Sequence, residues 1–246
     1  MFRYQTFLIT LILSLVSFNS YASDDDHDSH YKSDSDHDSY YQSESEHDSD
    51  SESHYGTSFQ HLPPLQQLQQ GWARAQYQTS KAQQEDAFED LSKLAKQLAK
   101  QNPQSAELLI WKGIILSSRA GAEGGLSALS LIKKAKSSYE SALKLDSQAL
   151  NGSAYTSLGV LYYKAPGWPI SFGDDDVAKT MLEKALAINP NGIDPNYFMG
   201  DYWLSQGKKN QAKASFEKAL QASPRTSQPI ADKGRRQEIL QALERI

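Results

Sequence analysis

Gly200-Asp201-Tyr202-Trp203 opens the stretch whose reading decides the fold; Ala212, Phe216, Ala219 and Pro224 complete it. The spacing sets Gly200 and Trp203 in a first helix and Ala212, Phe216 and Ala219 along one stripe of a second. Gly200 and Ala212 are small, so the two helices can approach closely. Trp203 and Phe216 are large and fill the space between this pair and the next. Pro224 has no amide hydrogen, so the second helix cannot continue through it. The unit is an antiparallel helix hairpin whose apolar seam needs neighbours of the same kind.

Such neighbours lie upstream. Tyr155-Thr156-Ser157-Leu158-Gly159-Val160-Leu161-Tyr162 repeats the first-helix pattern, and Ala178, Leu182, Ala185 and Pro190 supply a second helix and its stop. Gly159 to Ala178 is 19 residues, against 12 from Gly200 to Ala212, so seven are extra. They fall between Lys164 and Asp174. An earlier pair carries Leu109, Gly113 and Leu116, then Ala135, Tyr139 and Ala142. Its excess of ten residues is expected to lengthen the second helix, from about Leu126 to Leu145, and to form a Gly-rich turn over Ala120–Gly125. The first pair has apolar stripes at Leu65, Leu68, Trp72 and Ala75 and at Ala87, Phe88, Leu91, Leu94, Ala95 and Leu98, ending at Asn102-Pro103. No Gly–Ala frame can be fixed in it from sequence. A last helix, Gln228 to Ile246, carries Ile230, Ile239, Leu240 and Leu243 in basic surroundings (Arg225, Lys233, Arg235, Arg236, Arg245). It is expected to cap the stack. The fold class read from this pattern is all-α, four helix pairs and a C-terminal capping helix, without strands.

The motif W-x2-L-G-x2-Y…A-x3-F…P, with Gly159 and Gly200 at its glycine, resembles the tetratricopeptide repeat superfamily over Leu65 to Ile246. The resemblance implies a right-handed α-solenoid that binds a protein or peptide on the concave surface made by successive first helices. On this sequence that surface would include Ser153, Thr156, Val160, Tyr163 and Lys164, then Asp194, Tyr197, Asp201 and Leu204. The long loops within the pairs are similar to those of the tetratricopeptide-type T component of TRAP transporter systems. That narrower likeness implies a periplasmic, trimeric partner of a solute-binding protein.

The N-terminal part has a different character. Arg3, the apolar run from Phe7 to Val16 and the small residues of Ser20-Tyr21-Ala22 read as a signal peptide over residues 1–22. Cleavage after Ala22 would leave no integral membrane segment. Residues 23–61 are a low-complexity tail with a ten-residue period: Asp26-His27-Asp28-Ser29, Asp36-His37-Asp38-Ser39, Glu46-His47-Asp48-Ser49. With almost no aliphatic residues, this tail is expected to be disordered, because backbone ordering costs about 1–2 kcal/mol per residue. The helical domain is residues 62–246. From Ser23 to Gly56 there are nine Asp, three Glu and one Lys, so an acidic tail is tethered to a mildly basic body. The chain has no cysteine, which excludes disulfides, thiolate metal sites and a lipidated N-terminal Cys.

All six histidines, His27, His30, His37, His47, His54 and His61, lie in or beside the tail. Imidazole flanked by carboxylates suits Zn, Cu or Ni, and the first five are the candidate metal ligands. The competing reading is a solvating tail produced by decapeptide duplication. Elsewhere, Pro166-Gly167-Trp168-Pro169-Ile170-Ser171-Phe172-Gly173 places two large aromatics in a loop the hairpin does not need. Trp168 and Phe172 are either binding anchors or, on the favoured reading, fold down onto the neighbouring repeat. The candidate partner-binding residues are thus Thr156, Tyr163, Trp168, Phe172, Tyr197 and Asp201. Asp174-Asp175-Asp176 reads as a helix start. The body holds no His and the chain no Cys, which removes the common nucleophile–base pairs, so no catalytic site and no cofactor are expected beyond labile metal on the tail. The acidic tail opposes nucleic-acid binding. The expected function is an exported, periplasmic or secreted scaffold for protein interaction or assembly; the alternative is a metal-handling protein whose tail captures the ion and whose body docks a partner.

Overall fold

The computed structural model describes residues 61–246. Nine α-helices run through them: α1 Pro64–Tyr77, α2 Gln84–Gln101, α3 Ala106–Glu123, α4 Gly125–Leu145, α5 Ala149–Lys164, α6 Asp175–Ile188, α7 Ile193–Ser205, α8 Lys209–Leu220 and α9 Pro229–Glu244. Among the described residues there is no strand, only an isolated bridge between Gly167 and Gly173. The helices pack as hairpins α1/α2, α3/α4, α5/α6 and α7/α8, each leaning on the next. The architecture is the stacked all-α one the repeat pattern predicts.

One device recurs in every hairpin. A Cβ added to Gly200 would lie 2.7 Å from the Phe216 ring, at Gly159 it would lie 2.7 Å from Leu182, and at Gly113 it would lie 2.3 Å from Tyr139. The first helix of each pair therefore offers a bare patch of backbone on which the large residue of the second helix rests. Gly71 does the same for Leu91, at 2.7 Å. The first hairpin thus has the frame that sequence alone left unfixed, with Ala87 one turn before Leu91. Ala87, Ala135, Ala178 and Ala212 are all fully or almost fully buried, which lets the paired helices sit close.

Boundaries follow local chemistry. Ser105 caps α3, its hydroxyl accepting from the Leu108 amide. Asp174 caps α6 by accepting from the amides of Asp176 and Val177, so its acidic run is a helix start. Pro64 and Pro229 occupy the first turns of α1 and α9, where a missing amide hydrogen costs nothing. The excess residues of the second hairpin lengthen both helices: α3 runs on to Glu123, and Gly124 and Gly125, both with positive φ, make the turn. The expected Gly-rich turn over Ala120–Gly125 is correspondingly shorter.

The last helix does more than cap. Ile239 of α9 is fully buried against α7 and α8, as a cap requires. But α9 also reaches α1, where Gly234 rests on the Tyr77 ring. The inner helices α1, α3, α5 and α7 touch in succession, and α9 touches both α7 and α1. Five helices close a circuit, so the expected cap also joins the two ends of the stack.

Candidate functional site

The inner face of that circuit is where the concave-surface residues were expected. Thr156 on α5 and Tyr197 on α7 are buried, with 4% and 6% of their surface exposed, so the exposure anticipated from helical phase is not found there. The Tyr163 hydroxyl donates to Asp201 Oδ2 at 2.7 Å, and Lys164 Nζ pairs with the same oxygen at 2.7 Å. Asp201 is thereby committed to α5 and holds the third and fourth hairpins together. The structure brings Tyr163, Tyr197 and Asp201 into one neighbourhood, and Thr156 sits on the same inner helix.

What covers Tyr197 is α9, whereas Thr156 lines a cavity. The Arg235 guanidinium lies 4.3 Å from the Tyr197 ring centroid and 4.6 Å from that of Phe198. Its Nε donates to Asp194 Oδ1 at 2.9 Å, and its Nη1 bonds Glu238 one turn along. Arg225, in the loop before α9, donates to Asp194 Oδ2 at 2.6 Å and to Asp232 Oδ1 at 3.3 Å. Arg236 ties Asp232 to the carbonyls of Leu220 and Ala222, which the C-terminus of α8 leaves unpaired. Burial pushes the Glu238 carboxyl up, with Arg235 pulling the other way. At Asp232 burial raises the pKa, but the bonds from Arg236 and Arg225 outweigh it and hold the carboxyl low. Burial also drives the Tyr77, Tyr163 and Tyr197 hydroxyls well above the usual tyrosine range, so all three stay neutral at any physiological pH. A partly buried charge network thus holds α9 against the inner face at Tyr197.

From sequence Arg225, Arg235 and Arg236 were named only as basic surroundings of the last helix and Asp194 only as a concave-surface residue; Asp232 and Glu238 were not singled out. The basic surroundings of the last helix were the signal. The partners lie up to 41 positions away, which no local pattern reveals.

The loop after α5 divides its two aromatics. Phe172 folds down edge-on to Tyr162, centroids 5.5 Å apart, with Lys136 Nζ 5.7 Å above its ring. That half of the expectation holds. Trp168 does not fold down: 89% of it is exposed, and Ile170 beside it is 59% exposed. The base beneath them is tied firmly. The Gly173 amide donates to the Pro166 carbonyl at 2.9 Å, the Asp174 amide to Tyr162 at 2.9 Å, and the Ile170 amide to Gly167 at 3.1 Å. Gly173 is required there, since a Cβ would fall 2.1 Å from the Ala165 carbonyl oxygen. The result is a braced loop that lifts an indole and an isoleucine into solvent beside the acidic start of α6.

The candidate metal ligands His27, His30, His37, His47 and His54 lie outside the described residues, as does the signal segment. Among the described residues no cluster of three or more His, Cys, Asp or Glu could hold a metal ion, and no helix is long and apolar enough to cross a membrane.

Comparison with known families matches residues 193–226 to the tetratricopeptide repeat, the hairpin formed by α7 and α8. Comparison with curated proteins yields no match.

Proposed function

We propose that this chain, which carries a tetratricopeptide repeat at residues 193–226, is an exported scaffold that holds its partner through the Trp168 loop. The repeat supports a protein-interaction role in general. One observation directs it: the inner face at Tyr197 is covered by α9, while Trp168 and Ile170 stand out on a hydrogen-bonded base. Exposed tryptophan is the side chain most enriched among interface anchors, and a braced loop loses little entropy on docking. Asp174, Asp175 and Asp176 beside the loop favour a partner whose apolar slot is rimmed by Lys or Arg. A partner among TRAP-type solute-binding proteins is the narrower form of this reading, resting on the long loops within the hairpins. Export rests on residues 1–22, and a mature protein beginning at Ser23 in the periplasmic fraction is the expected outcome of N-terminal sequencing.

The test is affinity capture from periplasmic extract with the wild type and Trp168→Ala. Loss of the captured protein on substitution, with an unchanged helical spectrum, supports the loop as the docking point. Retention of the same protein by Trp168→Ala overturns it.

The concentration of every histidine at positions 27–61 favours a second, compatible role, capture of Zn, Cu or Ni by the tail. Calorimetry on the full chain and on a variant beginning at Leu62 separates the two. Equal uptake by both, or none by either, removes the tail from the account.

A further inference from the structure

The circuit of inner helices leaves a cavity of about 730 Å3 at the end where α1, α3, α5 and α7 begin. That volume suits a small molecule. Its wall is unusual in what it leaves unused. Gln69, Asn151, Asn189, Asn191, Gln221 and Gln228 line it, and none of their carboxamides makes a side-chain hydrogen bond among the described residues. The hydroxyls of Ser153 and Ser223 are likewise uncommitted. Its charges, by contrast, are largely spent. Both oxygens of Asp194 are taken by Arg225 and Arg235, and Arg225 is bonded to Asp194, Asp232 and the Ala231 carbonyl. Lys218 alone stands at the rim without a partner among the described residues. Apolar surface comes from Trp111, Leu150, Ile193 and Pro195.

The backbone is bent to build this wall. Leu150, Asn151 and Gly152 are three consecutive left-handed residues, with φ of 49°, 54° and 76°. The first two are not glycine, and each such residue costs about 1–2 kcal/mol. The turn carries Leu150 and Asn151 into the cavity wall before α5 resumes its right-handed course at Ser153. Strain of this kind persists only where the surroundings over-determine it, and it gathers at ligand sites.

We propose that this cavity binds a small neutral polyhydroxylated ligand of the saccharide class. Each hydroxyl of such a ligand both donates and accepts, and each carboxamide offers one group of either kind. The apolar residues supply a surface for the C–H face of a sugar ring. A free peptide end is disfavoured by charge: an ammonium would need a free carboxylate and Asp194 is occupied, while a carboxylate would find only Lys218. A long extended peptide is disfavoured by shape, because α9 closes the inner face behind the cavity.

Nitrogen–proton correlation spectra of the full chain test this with maltose, cellobiose and lactose as probes, and with glycylserylglycine and inorganic phosphate as rival arms. Saturable shifts at the side-chain amides of Asn151, Asn191 and Gln228 with at least one disaccharide are expected. Asn151→Gly, which relieves the left-handed strain, and Asn191→Ala, on the exposed rim, should each weaken binding at least tenfold without lowering the melting temperature. Trp168→Ala should leave it unchanged, so this site and the docking loop fail or stand separately. No saturable shift with any of the sugars at millimolar concentration overturns the proposal. So does saturation by the tripeptide or by phosphate in their place, or sugar binding unaffected by both asparagine variants.

Discussion

An alanine at Gly200 would set its Cβ 2.7 Å from the Phe216 ring, in a hairpin with no slack to absorb it. Gly200→Ala is therefore expected to destabilise the body by about 1–3 kcal/mol, although it raises helix propensity in isolation. Urea denaturation followed by circular dichroism checks the sign, which propensity and packing predict oppositely. Asp174→Ala removes the acceptor of two amides and should cost about 1 kcal/mol by the same measurement. Tyr77, Tyr139, Tyr163 and Tyr197 all have hydroxyls held above the usual range by burial. Folded-state values raised above the unfolded one mean that this stability is complete below about pH 10 and drains away as pH climbs past it. Ultraviolet titration should show these four tyrosines ionising together with loss of helix, after the exposed tyrosines have titrated. At this scale the sequence was readable wherever the cause is local: Ala212 and Phe216 share a stripe because of helical spacing, and Asp174 precedes its own amides. Trp168 was misjudged because its fate depends on how Gly173 and Phe172 brace the loop, which spacing does not express. The left-handed turn had a local sign, the Asn151-Gly152 pair, a common turn dipeptide.

Among the elements, α9 differs from the other helices in what fastens it. The hairpins are joined mainly by alanines and large apolar residues, whereas α9 is held by Arg235, Arg236, Asp232 and Glu238 around a modest apolar stripe. Removing one member of a buried pair strands the other, so Arg235→Ala should cost about 3–5 kcal/mol. Replacing Arg235 and Glu238 together by Met and Leu should cost less than that single substitution, because no charge is left alone. Thermal melts of the two variants make the comparison. Acidification through the usual carboxylate range should erode what the low-held Asp232 contributes, and Asp232→Asn should flatten that part of the stability profile. The extent of α9 was legible from Pro229 and its apolar spacing. Its destination was not, since the Arg235–Asp194 contact bridges 41 positions and the Gly234–Tyr77 contact spans most of the helical body.

Over the helical body as a whole, joining α9 to α1 changes how the stack should come apart. An open array of repeats has only nearest-neighbour contacts and can fray from either end. Here both ends rest on each other, so urea transitions by circular dichroism and by tryptophan fluorescence should coincide. Substituting Gly234 by Leu, against the Tyr77 ring, should part the ends and separate the two transitions. The same closure sets a limit on growth. Stacked-hairpin proteins ordinarily lengthen by duplication of a unit, each new copy simply extending the row. A fifth hairpin spliced between α2 and α7 would swing Gly234 away from Tyr77 and leave both edges bare, so the contact between the ends fixes the circumference.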